Sequence, residues 1–224
     1  MFDVGFLVDR VFPSLNAGLW MSVKLIVPSA VFGLLFGVII GVVRVFGKPW
    51  MQRVANAYTA LFRGVPLLVQ LFILYFGLPN IGIYLEPYAA SVLGFILCSA
   101  AYNSEYVRGA LLSIRQGQLS AAQALGFSTM QTLISIVVPQ AVRRALPGCG
   151  NEIVYLIKYS SLAYVITCIE LTGEAKVLAS RTFRFTEVFL VVGAYYLFLV
   201  TVASWLLHKV EEHFHIPGFG RPRQ

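Results

Sequence analysis

Charged residues are scarce in this sequence of 224 residues: aspartate, glutamate, lysine and arginine together make up 12% of it. A soluble domain usually carries about a quarter charged residues, so the composition excludes an ordinary water-soluble surface. Hydrophobic residues account for 58%, and the mean hydropathy is +0.77. The sequence therefore predicts an integral membrane protein.

Cysteine, histidine and the common catalytic motifs are also poorly represented. The three cysteines are too few and too scattered for a disulfide framework or a zinc site. His208, His213 and His215 lie at or beyond the end of the last apolar run, where they resemble interfacial anchors more than metal ligands. The sequence has no Gly-x4-Gly-Lys-Ser/Thr phosphate loop, and no nucleophile, base and acid share a predicted depth. We expect a chain that is not an enzyme and that holds no metal or cofactor of its own.

Five apolar stretches each have about the length of 20 residues that crosses a hydrocarbon core as a helix. They cover about residues 19–43, 65–85, 88–106, 153–169 and 188–207. Proline and glycine residues in the second stretch favour a helix that ends near Leu78, and Lys158 interrupts the fourth. The predicted fold class is all-α, a polytopic membrane protein with about five transmembrane helices.

The two ends of the chain are predicted to lie outside this transmembrane domain, which covers residues 19–208. Residues 1–18 lack the basic region of a cleavable signal peptide, so the first span is expected to act as an uncleaved signal behind a periplasmic segment. Residues 209–224 are expected to form a cytoplasmic tail.

The distribution of basic residues predicts the orientation. With the N-terminus outside, eleven basic residues are on the inner side: Arg44, Lys48, Arg53, Arg63, Arg108, Arg115, Arg143, Arg144, Lys209, Arg221 and Arg223. Four are on the outer side: Arg10, Lys176, Arg181 and Arg184. Cytoplasmic loops of membrane proteins are enriched in lysine and arginine, so this bias favours N-out and C-in. It also explains the net charge of +7 better than nucleic-acid binding does.

The longest inner connection, residues 108–147, has no acidic residue and carries apolar residues at helical spacing on both sides of Gly126. The simplest interpretation is two short helices that meet at a glycine bend on the cytoplasmic face.

Gly33, Gly37 and Gly41 are four residues apart in the first span, so they share one helix face and allow a second helix to approach closely. Packing within the chain is favoured over a subunit interface. Glu105 and Arg108 are three residues apart, which favours a structural ion pair over a gating role.

Several polar residues within the apolar stretches are candidates for a substrate pathway: Gln70, Asn103, Glu152, Lys158, Ser160 and Ser161. Such residues are expensive in a membrane unless they are satisfied or face water. Gln70 could instead make a cross-helix hydrogen bond, and the patch from Lys158 to Ser161 suits a pathway, a partner helix or plain packing.

The inner connection resembles the cytoplasmic signature of the permease family of binding-protein-dependent ABC importers. That signature reads Glu-Ala-Ala, three residues, Gly, nine residues, Ile, one residue, Leu-Pro. The matching positions in this sequence are Ser120, Ala121, Ala122, Gly126, Ile136, Val138 and Pro139, with Leu125 before the glycine. The spacing fits throughout, and Ser120 replaces a glutamate that in the family often helps to brace the bend.

Three further segments resemble the polar amino acid branch of that family, whose members carry histidine, glutamate, glutamine or arginine. They are Arg63 to Gln70 (RGVPLLVQ), Ala101 to Gln118 (AYNSEYVRGA and GQ), and Asn151 to Leu162 (NE, then K, then SSL). The resemblance implies the type I ABC importer permease fold (MetI-like) in the inner membrane of a bacterium.

The resemblance also implies partners. A second permease subunit, identical or paralogous, completes the channel, and two P-loop ATPase subunits bind ATP and Mg²⁺ and receive the short helix around Ala121 to Gly126. A periplasmic amino-acid-binding protein delivers the cargo. The family often has a carboxyl residue after the lysine of the fourth span; here that position is Tyr159, which argues modestly against a basic substrate.

Two other function classes remain open on the sequence alone. An ion-coupled secondary transporter would also have a few polar residues in its spans, but it predicts inverted repeats, which are not visible here. A non-transporting membrane scaffold could use the inner connection to recruit a cytoplasmic partner. Loss of transport on removal of an ATPase subunit would separate the three.

Overall fold

The computed structural model of this chain describes residues 3–214, and within them eight helices and no strand. The helices are α1 (Val4–Phe46), α2 (Pro49–Gly64), α3 (Leu67–Ile81), α4 (Pro87–Leu112), α5 (Gln116–Ala124), α6 (Thr129–Ile166), α7 (Leu171–Thr182) and α8 (Phe185–Phe214). The tail predicted over 209–224, with His215, Arg221 and Arg223, lies outside the described residues from position 215 onward.

Helix α1 is longer than the predicted first span of 19–43 and begins within the segment predicted to precede it. The Asp3 carboxylate accepts a hydrogen bond of 3.2 Å from the Phe6 N–H, which caps the first turn. Val11 and Leu15 are fully buried against α7 and α8. Packing therefore holds residues 4–18 in helix, although Asp9 and Arg10 lower their hydropathy.

Two helices, α2 and α7, lie between predicted spans. Helix α2 meets α3 at a bend of 102° over Val65 and Pro66, and α6 meets α7 at a bend of 51°. Helix α3 ends in a tight turn over Leu78–Ile81, where Gly82 adopts a left-handed backbone conformation with φ of 83°.

The second short helix expected in the inner connection and the predicted fourth span are one continuous helix, α6. A π-helical turn over Leu133–Val137 precedes Val138 and Pro139, and the helix also continues through Pro147.

By length and hydropathy alone, α1 and α8 can each cross a membrane, and the two bent pairs raise that number to four. Helix α4 has 26 residues, which at 1.5 Å per residue is about 39 Å. Ser91, Ser99, Asn103 and Ser104 lower its hydropathy, but they are buried inside the protein. Helix α4 is thus the central helix of the bundle, with its polar side chains turned away from lipid.

Helices α1 and α4 pack closely along a seam of three glycines. A methyl group added at Gly33 would come within 2.8 Å of the Ser99 side chain, and one at Gly41 within 2.8 Å of Val107. One added at Gly37 would overlap the Asn103 side chain. The three glycines thus let the α1 backbone lie directly on α4.

Candidate functional site

The elbow segment, residues 116–132, consists of α5, a left-handed turn and the first turn of α6. Gly126 has φ of 84°, and the Phe127 N–H donates to the Ala122 carbonyl at 3.0 Å across the turn. Ser128 and Gln131 form a reciprocal capping box that starts α6. A helix end followed at once by a capped helix start produces a sharp, defined corner.

The elbow segment exposes large apolar side chains. Leu125 is 79% exposed and Met130 63%, and Ile134 just beyond the segment is 60% exposed, whereas Ala122 is buried. Isolated exposed apolar residues are common, but a run of them at one corner is typical of an interaction site. Of the other signature positions, Ser120 and Ala121 are exposed, and Ile136 and Pro139 are half-buried.

Side-chain contacts fix the elbow segment to the bundle. Gln140 donates to the Gln118 side chain at 2.8 Å, and Arg144 donates to the Ser113 carbonyl at 2.6 Å. Beneath them, Ile114, Val137 and Ala141 form a buried apolar cluster. These contacts connect α5 and the end of α4 to α6.

Glu105 is the centre of a cluster of three arginines near the end of the bundle where α1 finishes. Its carboxylate lies 2.8 Å from the Arg44 guanidinium and 3.3 Å from Arg63, and it also pairs with Arg108. These contacts join α1, α2 and α4. The spacing of Glu105 and Arg108 predicted one of the pairs, but the other two come from residues 42 and 61 positions away and have no local signal.

Four of the predicted pathway residues have internal roles in the fold. Gln70 donates to the carbonyls of Phe62 and Val65, at 2.9 and 2.8 Å, and so satisfies the backbone at the α2–α3 bend. Asn103 donates to the Ser99 hydroxyl at 3.1 Å. The remaining two, Glu152 and Ser160, are also buried, and the Ser160 hydroxyl donates to the Ile157 carbonyl.

Lys158 differs from those four because its side chain is exposed. Its ammonium group lies 4.5 Å from the centre of the Tyr155 ring, which in turn stacks on Tyr159 at 5.9 Å. Ser161 is partly exposed and donates to the Lys158 carbonyl at 2.7 Å.

An aromatic face extends from this lysine along α6 and α4. Tyr102, Tyr106, Tyr155 and Tyr159 are all partly or largely exposed, and the Arg63 guanidinium lies 5.3 Å from the Tyr102 ring. The pairs Tyr102–Tyr106 and Tyr155–Tyr159 are each four residues apart, a spacing that indicates one helix face. The four-residue spacing of these tyrosines is the sequence signal that could have predicted the aromatic face.

The buried carboxylate of Glu170 lies at the end of the bundle opposite to Glu105. Glu170 is fully buried, caps α7 by accepting from the Gly173 and Thr172 backbones, and accepts from the Tyr196 hydroxyl at 3.1 Å. It joins α7 to α8, and its role is structural.

Comparison with known proteins identifies relatives across almost the whole chain. The family profile described as "Binding-protein-dependent transport system inner membrane component" matches residues 33–215. The nopaline transport system permease protein of Agrobacterium fabrum is 38% identical over 219 residues, which cover 93% of this chain and 90% of the relative. The glutamine transport system permease protein of Escherichia coli is 34% identical over 206 residues, covering 91% and 94%.

Solved structures give the same result. An amino acid ABC transporter, solved with histidines, superposes with a TM-score of 0.89 at 30% sequence identity and covers 95% of this chain and 99% of its own. The methionine ABC transporter MetNI in an inward-facing conformation superposes with a TM-score of 0.77 at 20% identity, a likeness that concerns the fold alone.

Proposed function

Because this chain belongs to the family of binding-protein-dependent transport system inner membrane components, we propose that it is driven by partner ATPases that dock on its elbow segment. The chain is a permease subunit of an amino acid ABC transporter, in agreement with its relatives. The exposed apolar side chains at the Gly126 corner are the observation that supports the docking site. The family membership also favours this function over an ion-coupled transporter or a scaffold.

The assembly consists of two permease subunits, two ATPase subunits that bind ATP and Mg²⁺, and a binding protein that delivers the amino acid. When ATP closes the ATPases, α5 is displaced, and its contacts with Gln140 and with the cluster around Val137 pass that displacement to α6. Helix α6 also carries Lys158, Tyr155 and Tyr159, so the ATPase docking site and this part of the aromatic face move with one helix. This is a switch between two discrete packings that ligands bias.

Docking of cytoplasmic ATPases on the elbow segment requires that the N-terminus lies outside and the C-terminus inside the cytoplasmic membrane of a bacterium. The excess of basic residues around the elbow supports it. Lys209 lies 4.0 Å from the centre of the Trp205 ring near the end of α8, and such aromatic and basic pairs are typical of a membrane–water interface.

Replacement of Gly126 tests the coupling role. Gly126→Val places a β-branched residue in the left-handed region, which it rarely adopts, and we expect it to distort the corner. Substrate-stimulated uptake should fall at least tenfold, with membrane insertion unchanged. Gly126→Asn is the matched control, since asparagine tolerates this conformation and a side chain at this position meets no atom of the chain within 4 Å. Wild-type uptake by the valine variant in proteoliposomes would contradict the role.

We also propose that the substrate passes along the aromatic face rather than through the buried polar residues. Every amino acid carries a carboxylate that Lys158 can bind and an ammonium group that tyrosine rings attract. Tyr159 follows the lysine and supplies no negative charge for a cationic side chain. The cargo proposed is therefore a polar amino acid that is not basic.

Uptake competition tests both parts of this proposal. Glutamine or glutamate in excess should displace the labelled cargo more strongly than arginine does, and exclusive uptake of arginine or lysine would contradict the substrate class. Lys158→Gln should raise the KM about tenfold, the effect of one lost charge-assisted contact, whereas Ser161→Ala should leave it nearly unchanged.

A further inference from the structure

A cavity of about 570 Å³ lies between α6 and the last turn of α8, beside the elbow segment. Its polar and charged lining consists of Ser135, Gln140, Arg143, Arg144 and Glu211. Phe214 contributes an apolar wall. A volume of this size is typical of sites for small molecules and polar headgroups.

The neighbouring part of α8 gives the depth of this cavity in the membrane. Leu190, Leu197 and Phe198 are 58%, 70% and 68% exposed, as expected for a face in contact with lipid. The Trp205–Lys209 pair marks the edge of the hydrocarbon. Glu211 lies two residues beyond Lys209, or about 3 Å along the helix. The headgroup layer is about 5–7 Å thick on each side, so the cavity opens at headgroup depth.

The charge of the lining favours an anion. Two arginines and one glutamate line the cavity, and the connection from Arg108 to Pro147 contains no acidic residue. Arg144 is held in place by donating to the carbonyl and the hydroxyl of Ser113, each at 2.6 Å. Arg143 is exposed and forms no ion pair within the described residues. Guanidinium forks and a serine hydroxyl together match the oxygens of a phosphate group.

We propose that this cavity binds the phosphate headgroup of an anionic phospholipid. The phosphate lies between Arg143 and Arg144, and the acyl chains follow the exposed apolar side of α8 past Val210 and Leu206, which are 42% and 51% exposed. Basic pockets between transmembrane helices recognise anionic headgroups in this way. Because Ile136 and Pro139 also line the cavity, a bound lipid would touch the base of the elbow segment and stiffen it.

Substitution of a positive and of a negative lining residue tests the proposal, because the two changes should shift lipid binding in opposite directions. The full chain is purified with phosphatidylglycerol or phosphatidylcholine, and the lipid retained is measured by native mass spectrometry. Arg143→Gln should weaken phosphatidylglycerol binding about fivefold, and Glu211→Gln should strengthen it because the opposing carboxylate is removed. Arg53→Gln, an exposed arginine on α2, is the matched control and should bind as the wild type does.

Retention of lipid does not depend on ATPase partners or on transport, so the result is independent of the proposed function. Each variant is first required to show the wild-type melting temperature. Equal retention of phosphatidylglycerol and phosphatidylcholine, or no loss in the Arg143→Gln variant, would overturn the proposal. Displacement of the lipid by millimolar inorganic phosphate would also overturn it, since the site would then recognise a free anion.

Discussion

The α1–α4 seam and the elbow segment are opposite kinds of surface within one chain. At the seam, three glycines bring the α1 backbone onto α4, and the side chains that meet them are almost completely buried. At the elbow, a single glycine turns the chain away from the bundle and leaves Leu125 and Met130 exposed. Glycine thus permits close helix packing at the seam and a sharp turn of the chain at the elbow.

The difference shows where the protein is rigid and where it is incomplete. The seam satisfies its packing within the chain, so it should determine stability and hardly depend on partners. The elbow segment has apolar surface that nothing in the described residues covers, so it should hardly affect stability and should determine coupling. Three substitutions separate these two properties.

Substitution in the seam should have the largest effect on stability. Gly37→Leu forces a side chain into the space held by Asn103 and the Ala100 carbonyl, and overpacking of this kind costs about 3 kcal/mol. We expect a large loss of folded, monodisperse protein in detergent. Gly193→Leu on α8 is the matched control, because no atom lies within 4 Å of a methyl group at that position, and it should express normally. Equal yields of the two variants would contradict the seam's role.

The Glu105 cluster should have an intermediate effect. Glu105→Gln leaves three arginines without their shared carboxylate, which we expect to cost about 2 kcal/mol because the site is only partly exposed. The melting temperature should fall by several degrees. Glu187→Gln removes a single pair with Arg184 at 3.5 Å and should change stability by about 0.5 kcal/mol at most. Equal melting temperatures of the two variants would show that the three converging arginines stabilise the fold no more than a single ion pair does.

The elbow segment should have the smallest effect on stability. Leu125→Ser changes a side chain that is 79% exposed, so unfolding should shift by no more than about 0.5 kcal/mol. ATP-driven uptake should nevertheless fall sharply, since the apolar contact with the ATPase is lost. A variant that melts and transports as the wild type does would show that Leu125 is not at the docking surface.

The family and the fold class were predictable from the sequence, and both are confirmed. Lipid forces helices to be long and apolar, and the signature around Gly126 combines fixed spacing with a backbone conformation that only glycine adopts easily. Both are local properties, which is why they can be read from a sequence.

The remaining features depend on contacts between distant residues. Gln70 and Asn103 stay candidate pathway residues predicted from their polarity, and the structure adds that each donates a hydrogen bond within the chain. The arginines around Glu105 converge from three helices, and no sequence spacing encodes that. Helix α1 extends past the expected boundary at residue 19 because Leu15 packs on α7 and α8, a tertiary effect that overrides local hydropathy.

The location of the elbow segment tests the account most directly. Leu125→Cys is introduced with Cys149→Ala, which removes the cysteine that is not fully buried, and spheroplasts are treated with a membrane-impermeant maleimide. Phe183→Cys, in the exposed turn between α7 and α8, serves as the control for the outer side. We predict that position 183 reacts in intact spheroplasts and that position 125 reacts only after lysis, with protection when the ATPase subunit is present. Labelling of position 125 in intact spheroplasts would place the elbow outside, beyond the reach of any ATPase, and would contradict the account.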